Sequence, residues 1–180
     1  QVYDHLQILS GKRIDVTVSG QDITVAYDLP ADVATLRFDP AYPGIVWTAA
    51  PTAAASGYGG RNYYEWDTVN SSSIGHFIAR IPDDFSAWHT SDAVTLQVWT
   101  DSADTTSYVD VEVFCNSTSR VTASFQQGSG SWAAVSFDDS VLGSWSAGDL
   151  FKAKITLAVS THATTEVARV GELTSQYIPV

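Results

Sequence analysis

Two adjacent carboxylate pairs, Asp83-Asp84 in "IPDDFSAW" and Asp138-Asp139 in "SFDDSVLG", are the first places to look for acid–base chemistry. Hydrolysis by paired carboxylates needs two groups facing each other across a cleft, one giving a proton and one taking it. Neighbouring residues of an extended chain point to opposite sides, so neither pair forms such a couple. Both sit in turn-like contexts, where Asp accepts hydrogen bonds from nearby backbone N–H groups. His5, His76, His89 and His162 lie far apart, with no His-x-His or His-Glu-x-x-His spacing that would hold zinc. Asp101 and Asp104 in "TDSADTTS" offer clustered loop oxygens of the kind calcium takes, but without EF-hand spacing they read as a solvated loop. There is no Gly-x-Ser-x-Gly elbow and no glycine-rich phosphate loop after a strand. No catalytic residue, metal ligand or cofactor is therefore expected. Asn70 and Asn116 match the glycosylation acceptor pattern, which arises easily by chance in a chain so rich in Ser and Thr.

Aromatic residues are the remaining chemistry. Six tryptophans are many for 180 residues. In "VTLQVWT", Val94, Leu96 and Val98 take the apolar face of a strand, leaving Trp99 on the polar face with Thr95 and Gln97. Trp132 likewise opposes Val135 and Phe137, and Tyr63 opposes Tyr64 and Trp66. Tyr63, Trp99 and Trp132 are thus candidates for a surface platform that stacks on a sugar ring or anchors a partner. A loop of the same chain can also cover such a residue. Tyr42, Trp47 and Tyr58 fall in a stretch with little cover of its own and are candidate partner contacts.

The elements that must position these residues are strands. "RIDVTVSGQDITVAYDL" places Ile14, Val16 and Val18, then Ile23 and Val25, around a Ser-Gly-Gln-Asp turn, which predicts a β-hairpin. Alternation recurs near 34–38, 63–66, 75–81, 93–100, 108–115, 120–125, 132–137, 150–159 and 167–178. These runs are separated by Ser, Thr, Asn, Asp and Gly. In "FKAKITLAV", Phe151, Ala153, Ile155, Leu157 and Val159 share one face, and Lys152, Lys154 and Thr156 the other. In "YVDVEVFC", Cys115 falls in step with Val109, Val111 and Val113 and is expected as a buried core residue. No segment keeps helical spacing over three turns. The expected class is all-β, a β-sandwich or a barrel. Between 39 and 60 the chain is rich in Pro, Ala and Gly and reads as a linker or extended arm. The expected division is a hairpin and attachment region over 1–38, an arm over 39–60, and a sandwich over 61–180. A lone hairpin is marginal in water, so the leading region is expected to pack on the sandwich or on another chain.

Charge narrows the partners. Twenty acidic residues against nine basic ones give a net charge of −11, and the basic residues form no cluster. Direct nucleic-acid binding is not expected. No apolar run approaches the ~20 residues of a membrane span. The single cysteine excludes an internal disulfide. Methionine is absent even from position 1, so the chain is expected to be less than the whole translation product.

"RNYYEW", "HFIARIPDDFSAW", "AGDLFKAKITLAV" and "ARVGELTSQY", in this order and spacing, resemble a β-sandwich module of uncharacterised tailed-bacteriophage virion surface proteins of the decoration or fibre kind. The resemblance covers residues 61–180. It implies a jelly-roll-like sandwich, no enzymatic activity, and self-association, often as trimers, on a capsid or tail. The function expected from it is a capsid decoration (cement) protein at the virion surface, with a major capsid or other virion protein as partner. A carbohydrate-binding module or glycan-binding fibre domain is the alternative, and a pilus or surface-layer subunit a further one.

Overall fold

The structure, a computed structural model, describes residues 13–19, 22–28, 33–40, 45–54, 62–100, 107–126, 131–159 and 166–180. Two compact units divide the chain, residues 1–32 and Val33–Val180. In the first, β1 (Arg13–Ser19) pairs antiparallel with β2 (Asp22–Asp28), with Val16 opposite Val25 and Ser19 opposite Asp22. This is the hairpin that the two alternating runs predict.

The second unit is a sandwich of two antiparallel sheets. A five-stranded sheet runs in the order β11 (Thr118–Phe125), β10 (Tyr108–Cys115), β13 (Leu150–Val159), β7 (Ser71–Arg80) and β4 (Val46–Trp47). Opposite lie β12 (Ala133–Phe137), β9 (Val94–Thr100), β14 (Ala168–Pro179), β6 (Tyr63–Trp66) and β5 (Thr52–Ala54). The long β14 also pairs with β3 (Ala34–Phe38) and β8 (Phe85–Trp88), making seven strands. From β6 onward the chain repeatedly crosses between the sheets, a jelly-roll-like course. One short helical turn, α1 (Asp139–Leu142), links β12 towards β13.

Period-2 alternation makes the core. Val109, Val111, Val113 and Cys115 on β10 face Val94, Leu96 and Val98 on β9, all of them buried. Phe151, Ala153, Ile155, Leu157 and Val159 are buried together on β13, as their alternation requires. Each large side chain removed from water in this way contributes about 1.5–3 kcal/mol.

The boundary lies elsewhere than composition suggests. Residues 33–54, assigned above to the hairpin region and the arm, supply three strands of the sandwich. β3 pairs with β14 from Leu173↔Phe38 to Tyr177↔Ala34. β4 then pairs with β7, and β5 with β6, so one segment covers an edge of each sheet. Prolines 40 and 51 flank these strands and are buried, an acceptable place because an edge strand spares the missing N–H. Further ties bind the segment: the Thr48 N–H donates to the Ile74 carbonyl at 2.8 Å, and the Ile74 N–H donates to Thr48 Oγ1 at 3.0 Å. Pro, Ala and Gly content counts breakers, and strands of two or three residues are too short to display a period against them.

Candidate functional site

The outer face of the five-stranded sheet is built from residues the core does not use. On β10 these are Tyr108, Asp110, Glu112 and Phe114, all half-buried. On β13 they are Lys152, Lys154 and Thr156. Strand register aligns them in rows. Asp110 has Ser124 on one side and Thr156 on the other; Glu112 has Thr122 and Lys154, with His76 and then Val46 beyond; Phe114 has Ser119 and Lys152, with Ile78 beyond. The first two rows line an open groove of about 380 Å³, walled by Asp110, Glu112, Thr122, Ser124, Lys154 and Thr156.

Its electrostatics are those of a wet, exchangeable surface. Lys154 Nζ stands 3.5 Å from Glu112 Oε2, and the two side chains keep 37% and 25% of their exposure. Such a pair contributes about 0–1 kcal/mol, so a ligand can replace it cheaply. Lys152 Nζ lies 4.0 Å above the Phe114 ring, a cation–π contact that holds the ammonium beside the groove. Burial first, and then the charges of Lys152 and Lys154, hold the His76 imidazole below its ordinary pKa. Asp110 Oδ1 is shielded from solvent and receives no hydrogen bond.

Tyr63, Trp99 and Trp132 are brought together, on the outer face of the seven-stranded sheet. There the Arg169 guanidinium lies 3.8 Å from the Trp99 ring and 5.3 Å from that of Tyr63, and its Nε donates to Glu65. The Tyr63 and Trp132 ring centroids are 5.8 Å apart. Trp132 lies across Gly171, where a Cβ would come 3.3 Å from the indole. The outward directions read from alternation are correct, but Trp99 keeps only 2% of its exposure and Tyr63 7%. Neither offers an open ring face, because Arg169 occupies the position between them. Only Trp132 remains partly exposed.

Trp47 is a packing residue of the sandwich. Its ring lies against Gly75 from the sheet that carries both, and its centroid is 5.2 Å from that of Tyr64 in the opposite sheet. It closes the gap between the sheets at their edge, which is incompatible with an exposed partner contact. Tyr42, Tyr58, Asp101, Asp104, His5 and His162 lie outside the described residues.

The other singled-out groups serve the fold. Asp84 Oδ1 accepts from the Tyr177 hydroxyl at 3.1 Å, and Asp138 Oδ1 accepts from the Asp92 N–H at 3.0 Å. His89 Nδ1 stands 2.7 Å from the Ser91 carbonyl. Asn70 and Asn116 adopt φ of 56°, the left-handed conformation that Asn tolerates in tight turns. Asn116 is fully engaged: its Nδ2 donates to Asp149 Oδ1 and its Oδ1 accepts from the Leu150 N–H, both at 2.9 Å. The bond from Asn116, and then one from the Ser146 N–H, hold the Asp149 carboxyl below its ordinary pKa. The neighbouring Cys115 thiol is pushed up by burial, which keeps it protonated and unreactive. Among the described residues no three potential metal ligands cluster.

The groove was not anticipated. Its signal is present in the polar alternates of "YVDVEVFC" and "LFKAKITLAV", but the placing of Glu112 opposite Lys154 comes from register alone.

No protein-family profile matches the chain, and no curated protein matches it in sequence. Several solved structures align with it at low identity. The CBM36-1 domain of a multidomain xylanase from the hindgut metagenome of Trinervitermes trinervoides aligns with a TM-score of 0.44 and 9% identity, over 78% of this chain and 95% of that one. TmCBM61 in complex with β-1,4-galactotriose aligns with 0.43 and 9%, over 94% and 89%. A chain of the infectious bursal disease virus Gx strain aligns with 0.40 and 12%, over 90% of this chain and 36% of that one. At such identities and TM-scores no ligand or role passes from those proteins to this one.

Proposed function

We propose that the protein is a non-catalytic binding module whose ligand is a carbohydrate chain, held on the outer face of the five-stranded sheet. The observation that carries this reading is the groove between Tyr108 and Phe114, walled by two carboxylates, an ammonium and three hydroxyls. Sugar hydroxyls both donate and accept, which suits a mixed set of acceptors and donors. A volume of about 380 Å³ falls within the range of small-ligand sites. The charged side chains in its walls disfavour a wholly apolar ligand, and two carboxylates against Lys154 disfavour phosphate. The test is a glycan array followed by calorimetry, with a Glu112→Ala, Lys154→Ala double variant as control. Hits that weaken in the variant are expected; an array without hits overturns the reading.

A second reading is a virion surface protein that docks on a capsid and self-associates as a trimer. Its support is now the β1–β2 hairpin, since residues 1–32 form a unit by themselves while residues 33–54 are committed to the sandwich. Light scattering on the full chain discriminates: a closed trimer supports this reading, and a monomer that binds glycans sinks it.

A further inference from the structure

Resting on the carbohydrate-binding reading, we infer that Asp110 makes the groove selective for neutral, hydroxyl-rich saccharides over acidic ones. The argument starts from an unmet requirement. A carboxylate oxygen taken out of water needs a donor, and one left without it costs stability. Asp110 Oδ1 is in that condition although hydroxyl-bearing residues flank it on both adjacent strands. Neither Ser124 nor Thr156 closes a hydrogen bond to it. The other oxygen, Oδ2, is not shielded in this way and is the acceptor that Asp110 presents to the groove it lines. A carboxylate kept unsatisfied in a groove wall is poised to accept from a ligand that brings its own donors.

The surroundings decide which ligand that is. Along β10 the next outward residue is Glu112, whose charge is met by Lys154 at 3.5 Å. Lys152 is drawn towards Phe114 at 4.0 Å. Among the groove-lining side chains this leaves Asp110 as the uncompensated charge, on a chain whose net charge is −11. A saccharide hydroxyl donates to that carboxylate, whereas a uronate or sulfate group would be repelled by it.

The experiment titrates the full chain with neutral xylo-, gluco- and galacto-oligosaccharides and with oligogalacturonate of equal length. It is then repeated with Asp110→Asn, and melting temperatures are recorded for both proteins. Expected are binding of at least one neutral ligand, no binding of the uronate, and about a ten- to hundredfold loss for neutral ligand in the variant. That loss corresponds to one hydrogen bond to a charged group. The variant should melt at the same temperature or higher, since it removes an unsatisfied charge. Equal binding of neutral and acidic ligands, unchanged affinity in Asp110→Asn, or lost affinity with a lowered melting temperature each overturn the selectivity while leaving the binding reading intact. If no saccharide binds the native chain, both fall.

Discussion

Gly75→Ala tests whether residues 45–54 are part of the sandwich in solution. A Cβ at position 75 would lie 2.6, 2.7 and 2.8 Å from three atoms of the Trp47 indole. Ordinary carbon contacts are about 3.5–4.0 Å, so the ring must retreat by about 1 Å. Tyr64 lies on the indole at 5.2 Å between centroids and limits that retreat. Overpacking of this kind costs about 1–3 kcal/mol. Gly75 has no positive φ, so alanine suits its backbone and returns about 0.4–1 kcal/mol by restricting the unfolded chain. The net expectation is a loss of about 1–2 kcal/mol, read from urea unfolding followed by circular dichroism. Repeating the substitution in a Trp47→Ala background removes the obstacle, and there Gly75→Ala should be neutral or stabilising. A cycle with no coupling, or an unchanged midpoint for Gly75→Ala alone, would refute the placement of Trp47 and return the segment to a partner-binding arm.

Other expectations follow from the same packing. Ile155→Lys puts a charge at a fully buried position and should cost more than about 4 kcal/mol, seen as loss of soluble, cooperatively melting protein. Asp149 has a lowered pKa in the folded chain, so its contribution is present above the unfolded value near 3.8 and is lost as pH falls through the folded one. Asp149→Asn should therefore flatten the acid limb of the stability–pH curve, and an unaltered limb would count against its hydrogen bonds. Lys154→Met removes one cause of the depressed His76 pKa, so the imidazole should titrate at higher pH by NMR.

Alternation made most of the sandwich legible, because half-buried strands must place apolar residues at every second position. It failed where strands are too short to repeat, as at Val46–Trp47 and Thr52–Ala54. It failed again at Phe85–Trp88, where Phe85 and Trp88 are both buried around exposed Ser86 and Ala87 beside a register shift in β14. Parity also gave the side to which Tyr63, Trp99 and Trp132 point, but not their cover. Arg169 reaches Trp99 only because β14 returns beside β9 about seventy residues later, with Arg169 opposite Trp99. Long-range register is what a single sequence conceals, and both the hidden aromatic cluster and the groove depend on it.

The two outer faces can be separated by one substitution. Arg169 keeps 8% of its exposure, pairs with Glu65 and packs on Trp99 at 3.8 Å. Breaking a buried pair from one side costs about 3–5 kcal/mol when both partners are fully enclosed. Glu65 retains 23% of its side-chain exposure, so Arg169→Ala should cost nearer the lower figure. The groove lies on the other sheet and shares no side chain with this cluster. Distant, independent sites add, so saccharide affinity measured below the variant's melting transition should be unchanged. Were Arg169→Ala to abolish binding while leaving the melting temperature intact, the aromatic cluster would be the ligand platform after all. In that event the arrangement of Trp99, Arg169 and Tyr63 would have to open on binding, and the polar rows of β10 and β13 would revert to an ordinary solvated face.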